Sequence, residues 1–185
     1  TIQPISGSRY ILTFNGCIYN YKELEPYSTS DTQTLLNLFD QKGLKALDDL
    51  NGMFAIGLYD TLEEKIHLIV DRFVQKNLYY YHDKEKFAFA SNPGSLYCLL
   101  EKKEINKDAL QSYWLLGSVM GEDSILKGIK KVCAGEIVTF DLLTNNVTRE
   151  RWYEPKFHVE PDIEGLVYDA IDKVKVSDVP VYILL

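Results

Sequence analysis

The run Met53 to Tyr59 (M-F-A-I-G-L-Y) is apolar at nearly every position, which predicts a strand covered on both faces and placed between two layers. Tyr10 to Phe14 (Y-I-L-T-F) has the β-branched and aromatic content of another strand, and Asn15-Gly16 behind it reads as a turn where the chain bends sharply. Beyond the polar turn Asp60 to Lys65, Ile66 to Val70 returns as a partner strand ending on the charged pair Asp71-Arg72. Leu78 to His82 and Phe87 to Ser91 flank D-K-E-K as a further hairpin, and Glu136 to Phe140 with Val147 to Trp152 form one more across Asp141 to Asn146.

Helical signals fall between these strands. Ser30 opens S-D-T-Q, where Ser30 can cap a helix and Gln33 can reach back to it, before Leu35, Leu36, Leu38 and Phe39 give an apolar face that Gly43 closes. Leu44 to Leu50 reads as a short second helix ended by Asn51-Gly52. Asn106 to Leu116 is bounded by a favoured cap at one end and by Gly117, able to turn left-handed, at the other. Hairpins with helices inserted between them predict an antiparallel α+β sandwich. After Trp152, Glu154-Pro155 and Glu160-Pro161 mark a connector, then Leu166, Val167, Ala170, Ile171 and Val174 recur at helical spacing, and Val179 to Leu185 reads as a doubly buried strand.

Composition narrows the classes. The formal net charge of −7 comes with no long basic run, so nucleic acid is not an expected partner. Cys17, Cys98 and Cys133 lie far apart without a C-x-x-C pair, and His67, His82 and His158 are equally isolated, so no metal site is expected and the histidines read as strand or turn residues. No segment is long and apolar enough to predict a membrane span, and no cationic start precedes an apolar block, so a cytoplasmic protein without a membrane partner is the expectation.

Several motifs occur in a fixed order: F-N-G-C-I-Y-N-Y from Phe14, S-D-T-Q-T-L-L from Ser30, L-D-D-L-N-G-M-F-A-I-G-L-Y-D from Leu47, D-R-F-V-Q-K-N-L-Y-Y from Asp71, F-A-F-A-S from Phe87, I-L-K-G-I-K-K-V-C-A-G from Ile125 and S-D-V-P-V-Y-I-L-L from Ser177. Together they resemble class II glutamine amidotransferase domains, and among those the glutamine-hydrolysing asparagine synthetases. The resemblance implies a four-layer α/β/β/α sandwich of two antiparallel sheets of the N-terminal-nucleophile hydrolase type. It also implies cleavage of glutamine by a cysteine at the mature N-terminus, with ammonia passing to a second domain that uses ATP and magnesium to activate aspartate.

Carried over by that resemblance, Asn15 and Gly16 match the oxyanion donors, and Asp31 matches the carboxylate that binds the α-amino group of glutamine. Read without it, Asp31 is an acid at a helix start, favoured there by the dipole. Where the family pattern reads N-G-E this chain has Cys17, which removes half of the carboxylate clamp on a substrate ammonium. Cys17 is not expected to be a nucleophile, since it has no α-amino group of its own free and no histidine in its motif. The family's nucleophile and its carboxylate-gripping arginine are expected ahead of Thr1, which aligns one strand too late to replace them, so residues 1–185 alone are expected to be inactive.

Val74 stands where the family has glycine in D-R-F-G, Asn77 where it has proline, Asn92-Pro93 in place of S-E, and Cys133 where proline precedes A-G. A β-branched valine resists positive φ, so the loop at Val74 is expected to take a different course or never to have needed glycine. Residues 1–155 are expected to form the glutaminase-like domain, and 156–185 a linker and the start of an ATP-dependent synthetase domain. Two functions stay open: a glutamine-dependent asparagine synthetase, alone or as a homodimer, and a diverged, catalytically silent glutaminase-like domain with a regulatory or structural role.

Overall fold

A computed structural model describes residues 2–156 and 162–175. The large sheet has the strand order β1 (Ile5–Ser6), β2 (Tyr10–Ile18), β3 (Gly52–Asp60), β4 (Lys65–Val70), β8 (Glu136–Asp141), β9 (Asn146–Arg151). The small sheet runs β6 (Phe87–Ala90), β5 (Tyr79–His82), β7 (Ile129–Lys131), and every pairing in both sheets is antiparallel. The two sheets pack face to face: Ala55, Leu68, Val70 and Val138 of the large sheet share one buried cluster with Leu78, Tyr80 and Val132 of the small sheet's side. Gly57 makes room for that contact, because a Cβ there would lie 2.6 Å from the Phe89 ring.

Helices cover both outer faces. On the large sheet, α1 (Tyr21–Leu24), α2 (Asp31–Lys42) and a 3₁₀ segment Gly43–Asp49 bury Leu35, Leu36, Leu38, Phe39, Ala46 and Leu47 against Tyr10, Leu12, Phe14 and Ile18 of β2. On the small sheet, a second 3₁₀ segment, Pro93–Leu99, contributes Leu96 to a cluster with Tyr81 and Ile129. The order helix, sheet, sheet, helix is the sandwich expected from the sequence. α3 (Lys107–Leu116) has Asn106 as its cap, with the side chain accepting from the Asp108 and Ala109 N–H groups, and Gly117 at φ 71° ends it.

β3 is buried on both faces, as its apolar run requires, with Phe54, Ile56 and Leu58 toward the helices and Ala55 toward the small sheet. The predicted turn at Asn15-Gly16 is not there. β2 runs on to Ile18, pairing Asn15 with Ala55 and Gly16 with Phe54. Glycine is required by close approach: a Cβ on Gly16 would sit 2.0 Å from the Met53 carbonyl oxygen. The expected capping box is likewise not formed, since Ser30 makes no side-chain cap bond and Gln33 donates instead to Asn37 at 2.9 Å. The helix expected from Leu44 to Leu50 is the 3₁₀ segment Gly43–Asp49 rather than α, with Leu50 already extended. α4 (Ile163–Val174) fulfils the last helical pattern, whereas the strand expected at Val179 to Leu185 lies outside the described residues.

The loop after β4 also departs from expectation. Val74 adopts φ 51°, so the left-handed conformation persists although the residue is β-branched. Such a residue costs roughly 1–3 kcal/mol and survives only where its surroundings over-determine it. Asp71 supplies that constraint. Its buried carboxylate accepts from the N–H groups of Phe54 at 3.1 Å, Phe73 at 2.9 Å and Gln75 at 3.0 Å, while its carbonyl takes the Val74 N–H at 3.2 Å.

Candidate functional site

The alternation of β2 determines which backbone groups it can offer. Tyr19 N–H donates to Asn51 O at 2.7 Å, so odd-numbered residues of β2 direct their amides at β3. Even-numbered residues direct theirs to the opposite edge. Gly7 N–H meets Tyr10 O there at 2.8 Å, and Leu12 faces Ile5 of the short β1. Beyond β1 the edge has no neighbouring strand among the described residues, and side chains take over. Gln3 Oε1 accepts the Phe14 N–H at 2.6 Å, and Asp31 Oδ2 accepts the Ile18 N–H at 3.2 Å. The Gly16 N–H lies on this edge between those two capped groups.

Asn15 belongs to the other parity, so its side chain stands on the face turned toward the small sheet. It lines a cleft of about 230 Å³ with Gln3, Thr13, Ala55, Phe89 and Ser91. The structure therefore brings Asn15, Gly16 and Asp31 to one five-residue end of β2, Phe14 to Ile18. Asp31 reaches it because α2 starts there, which also aims the positive end of that helix at the same region. One carboxylate oxygen of Asp31 is held by β2, and the other takes the Thr32 hydroxyl at 3.3 Å.

Cys17 shares the odd parity of Asn15 and is half-buried beside Tyr19, whose phenol is pushed above its usual pKa by burial, then by Cys17 and Asp71. Behind β3, Arg72 donates to Leu50 O at 2.8 Å and lies over the rings of Trp152 and Tyr153. Because Asp71 also holds the Phe54 N–H, and Phe54 pairs with Gly16, this loop braces the strand that carries the candidate donors.

Sequence reasoning passed over Gln3. Its signal was the acceptor-bearing residue before Pro4, just ahead of the strand. His67 is buried against Thr139 at 2.9 Å, and burial lowers its pKa, while His158 lies outside the described residues. Among the described residues no group of three His, Cys, Asp or Glu side chains is arranged to hold a metal ion. Nor is any described helix long and apolar enough to cross a membrane.

A sequence profile described as "Glutamine amidotransferase domain" matches residues 1–153. The chain belongs to the glutamine amidotransferase domain family. Within this family it is 33% identical over 188 residues to a protein of Methanocaldococcus jannaschii named putative asparagine synthetase (glutamine-hydrolyzing) 2, covering 92% of this chain and 36% of that one. A Bacillus subtilis protein named asparagine synthetase (glutamine-hydrolyzing) 2 is 32% identical over 202 residues, covering 95% of this chain and 27% of its own length. The chain thus spans 27–36% of the length of these two relatives. Among solved structures, glutamine phosphoribosylpyrophosphate amidotransferase from Bacillus subtilis superposes with a TM-score of 0.54 at 16% identity, over 83% of this chain and 32% of that one. At that identity the likeness concerns the fold alone.

Proposed function

We propose that this amidotransferase domain serves a glutamine-dependent asparagine synthetase, hydrolysing glutamine so that ammonia can amidate an aspartyl-adenylate. The observation that carries this reading is that one end of β2 holds the Asn15 side chain, turned toward the small sheet, the Gly16 N–H, which has no partner among the described residues, and the Ile18 N–H that the Asp31 carboxylate accepts from the helix side. A carbonyl oxygen that gains negative charge during attack needs donors already in place, and each such donor is worth about 2.7–4 kcal/mol. Gly16 and Asn15 would supply them. Asp31, at the positive end of α2, would meet the ammonium of glutamine while still tied to Ile18. The relatives are named asparagine synthetases, and in this reading aspartate and ATP, with magnesium accompanying ATP, are the further substrates of a second domain.

α4 supports a two-domain reading of residues 1–155 and 156–185, because Ile163, Leu166, Val167, Ile171 and Val174 expose apolar surface that a further unit would cover. The test is asparagine formation by the full-length protein from aspartate, ATP and glutamine. The proposal expects synthesis with either glutamine or free ammonia. Synthesis with ammonia alone would instead support a silent glutaminase-like domain, and no asparagine from either source would reject the assignment.

A further inference from the structure

The two side chains that close the outer edge of β2 are not equivalent. Asp31 is fixed at the start of a twelve-residue helix packed on the sheet, whereas Gln3 reaches the edge from an exposed segment ahead of β1. Backbone pairing between β1 and β2 stops at Ile5 with Leu12, so the next amide on that edge, Phe14 N–H, has no strand carbonyl to meet. The Gln3 carboxamide oxygen takes that place at 2.6 Å and continues the ladder by one step as a surrogate strand. Gln3 also lines the cleft that holds the Asn15 side chain. The next amide along the edge is Gly16, the proposed oxyanion donor. One side-chain acceptor thus sits one step before Gly16 and another one step after it, and between them they hold the edge in extended register on either side of the Gly16 N–H, which has no partner among the described residues.

We propose that Gln3 is a positioning residue for glutamine hydrolysis: its carboxamide oxygen fixes the Phe14 to Gly16 backbone and keeps water from the Phe14 N–H beside the oxyanion position. This inference rests on the site reading given under the proposed function. Gln3 does not touch the reacting atoms. Its effect arises because a donor preorganised before charge develops contributes more than one that must reorient, so loosening its neighbour lowers turnover rather than substrate affinity.

The experiment compares full-length wild type with Gln3→Leu, which keeps the bulk and removes the acceptor, and Gln3→Glu, which keeps an acceptor oxygen. Glutaminase kinetics, ammonia-dependent amidation and melting temperature are read for each. The expected result is a glutaminase kcat about tenfold lower in Gln3→Leu with KM for glutamine within about twofold, recovered to within about threefold of wild type in Gln3→Glu. Ammonia-dependent amidation should be unchanged, and the melting temperature of Gln3→Leu should fall by no more than about 5 °C, as expected for one lost acceptor at a sheet edge. Wild-type kcat in Gln3→Leu, a loss confined to KM, no recovery in Gln3→Glu, or a parallel fall in stability and ammonia-dependent activity would each overturn the inference. A wild-type protein without glutaminase activity would overturn the underlying site reading together with this inference, whereas an active wild type with an indifferent Gln3→Leu overturns this inference alone.

Discussion

Asp71→Ala removes the acceptor on which the loop after β4 depends. The carboxylate gathers the N–H groups of Phe54, Phe73, Gln75 and Lys76 at 2.9–3.4 Å with the residue itself only 1% exposed. Phe54 is buried, so its amide would lose its partner with no water to replace it, at about 1–3 kcal/mol. Phe73 and Gln75 lie in an exposed stretch and can rehydrate, so losing their charge-assisted bonds adds about 1–2 kcal/mol more. Release of Val74 from φ 51° returns about 1–2 kcal/mol. The net loss centres on about 2 kcal/mol, which for a chain of this size lowers the melting temperature by roughly 4–8 °C. Thermal melts followed by far-ultraviolet circular dichroism on wild type, Asp71→Ala, Val74→Gly and the double variant measure it. Val74→Gly should also stabilise less in the Asp71→Ala background, where the strain has already gone. A melting temperature of Asp71→Ala within about 2 °C of wild type would refute the assignment of the loop's constraint to this carboxylate.

Gly16→Ala would place a methyl 2.0 Å from the Met53 carbonyl oxygen and force β2 from β3, so a loss above about 3 kcal/mol and mostly insoluble protein are expected; a wild-type melt would contradict the close approach. Asp40 is pushed up by burial but held below its usual pKa overall by N–H groups of Ser8, Arg9 and Tyr10 at 2.6–3.2 Å. Its stabilisation is complete above the ordinary aspartate pKa and is lost as pH falls through the depressed folded value. The melting-temperature gap between wild type and Asp40→Asn should therefore narrow as pH falls below the ordinary aspartate range, and a gap constant with pH would count against it. In the full-length protein, Asp31→Ala should raise KM for glutamine about tenfold or more and, because it also frees the Ile18 N–H on the same edge, lower kcat, and an unchanged KM would remove Asp31 from ammonium binding.

The fold was legible wherever burial imposes a period. Met53 to Tyr59 could be nothing but a doubly covered strand, and α2 and α3 announced themselves by Leu35 to Phe39 and by the Asn106 and Gly117 ends. Asn15-Gly16 misled because a glycine demanded by close approach looks, in one dimension, like a glycine demanded by a turn; the Met53 carbonyl that decides the matter is thirty-seven residues away from Gly16. Val74 misled in the opposite sense, since positive φ there depends on Asp71 gathering distant amides rather than on the residue itself. The candidate site was legible only through motif resemblance. Which face Asn15 takes and which amides stay open depend on strand register, and Gln3 and Asp31 are assigned to the same edge only by hydrogen bonds across sequence separations of eleven and thirteen residues.

The central claim is that the Phe14 to Ile18 end of β2 forms the oxyanion side of a glutaminase site, with Asn15 and Gly16 as its donors. Steady-state glutamine hydrolysis by full-length wild type and Asn15→Ala tests it most directly. A donor that acts mainly in the transition state predicts kcat reduced by about 10²–10³ with KM for glutamine nearly unchanged. An Asn15→Ala protein that hydrolyses glutamine at the wild-type kcat would contradict it.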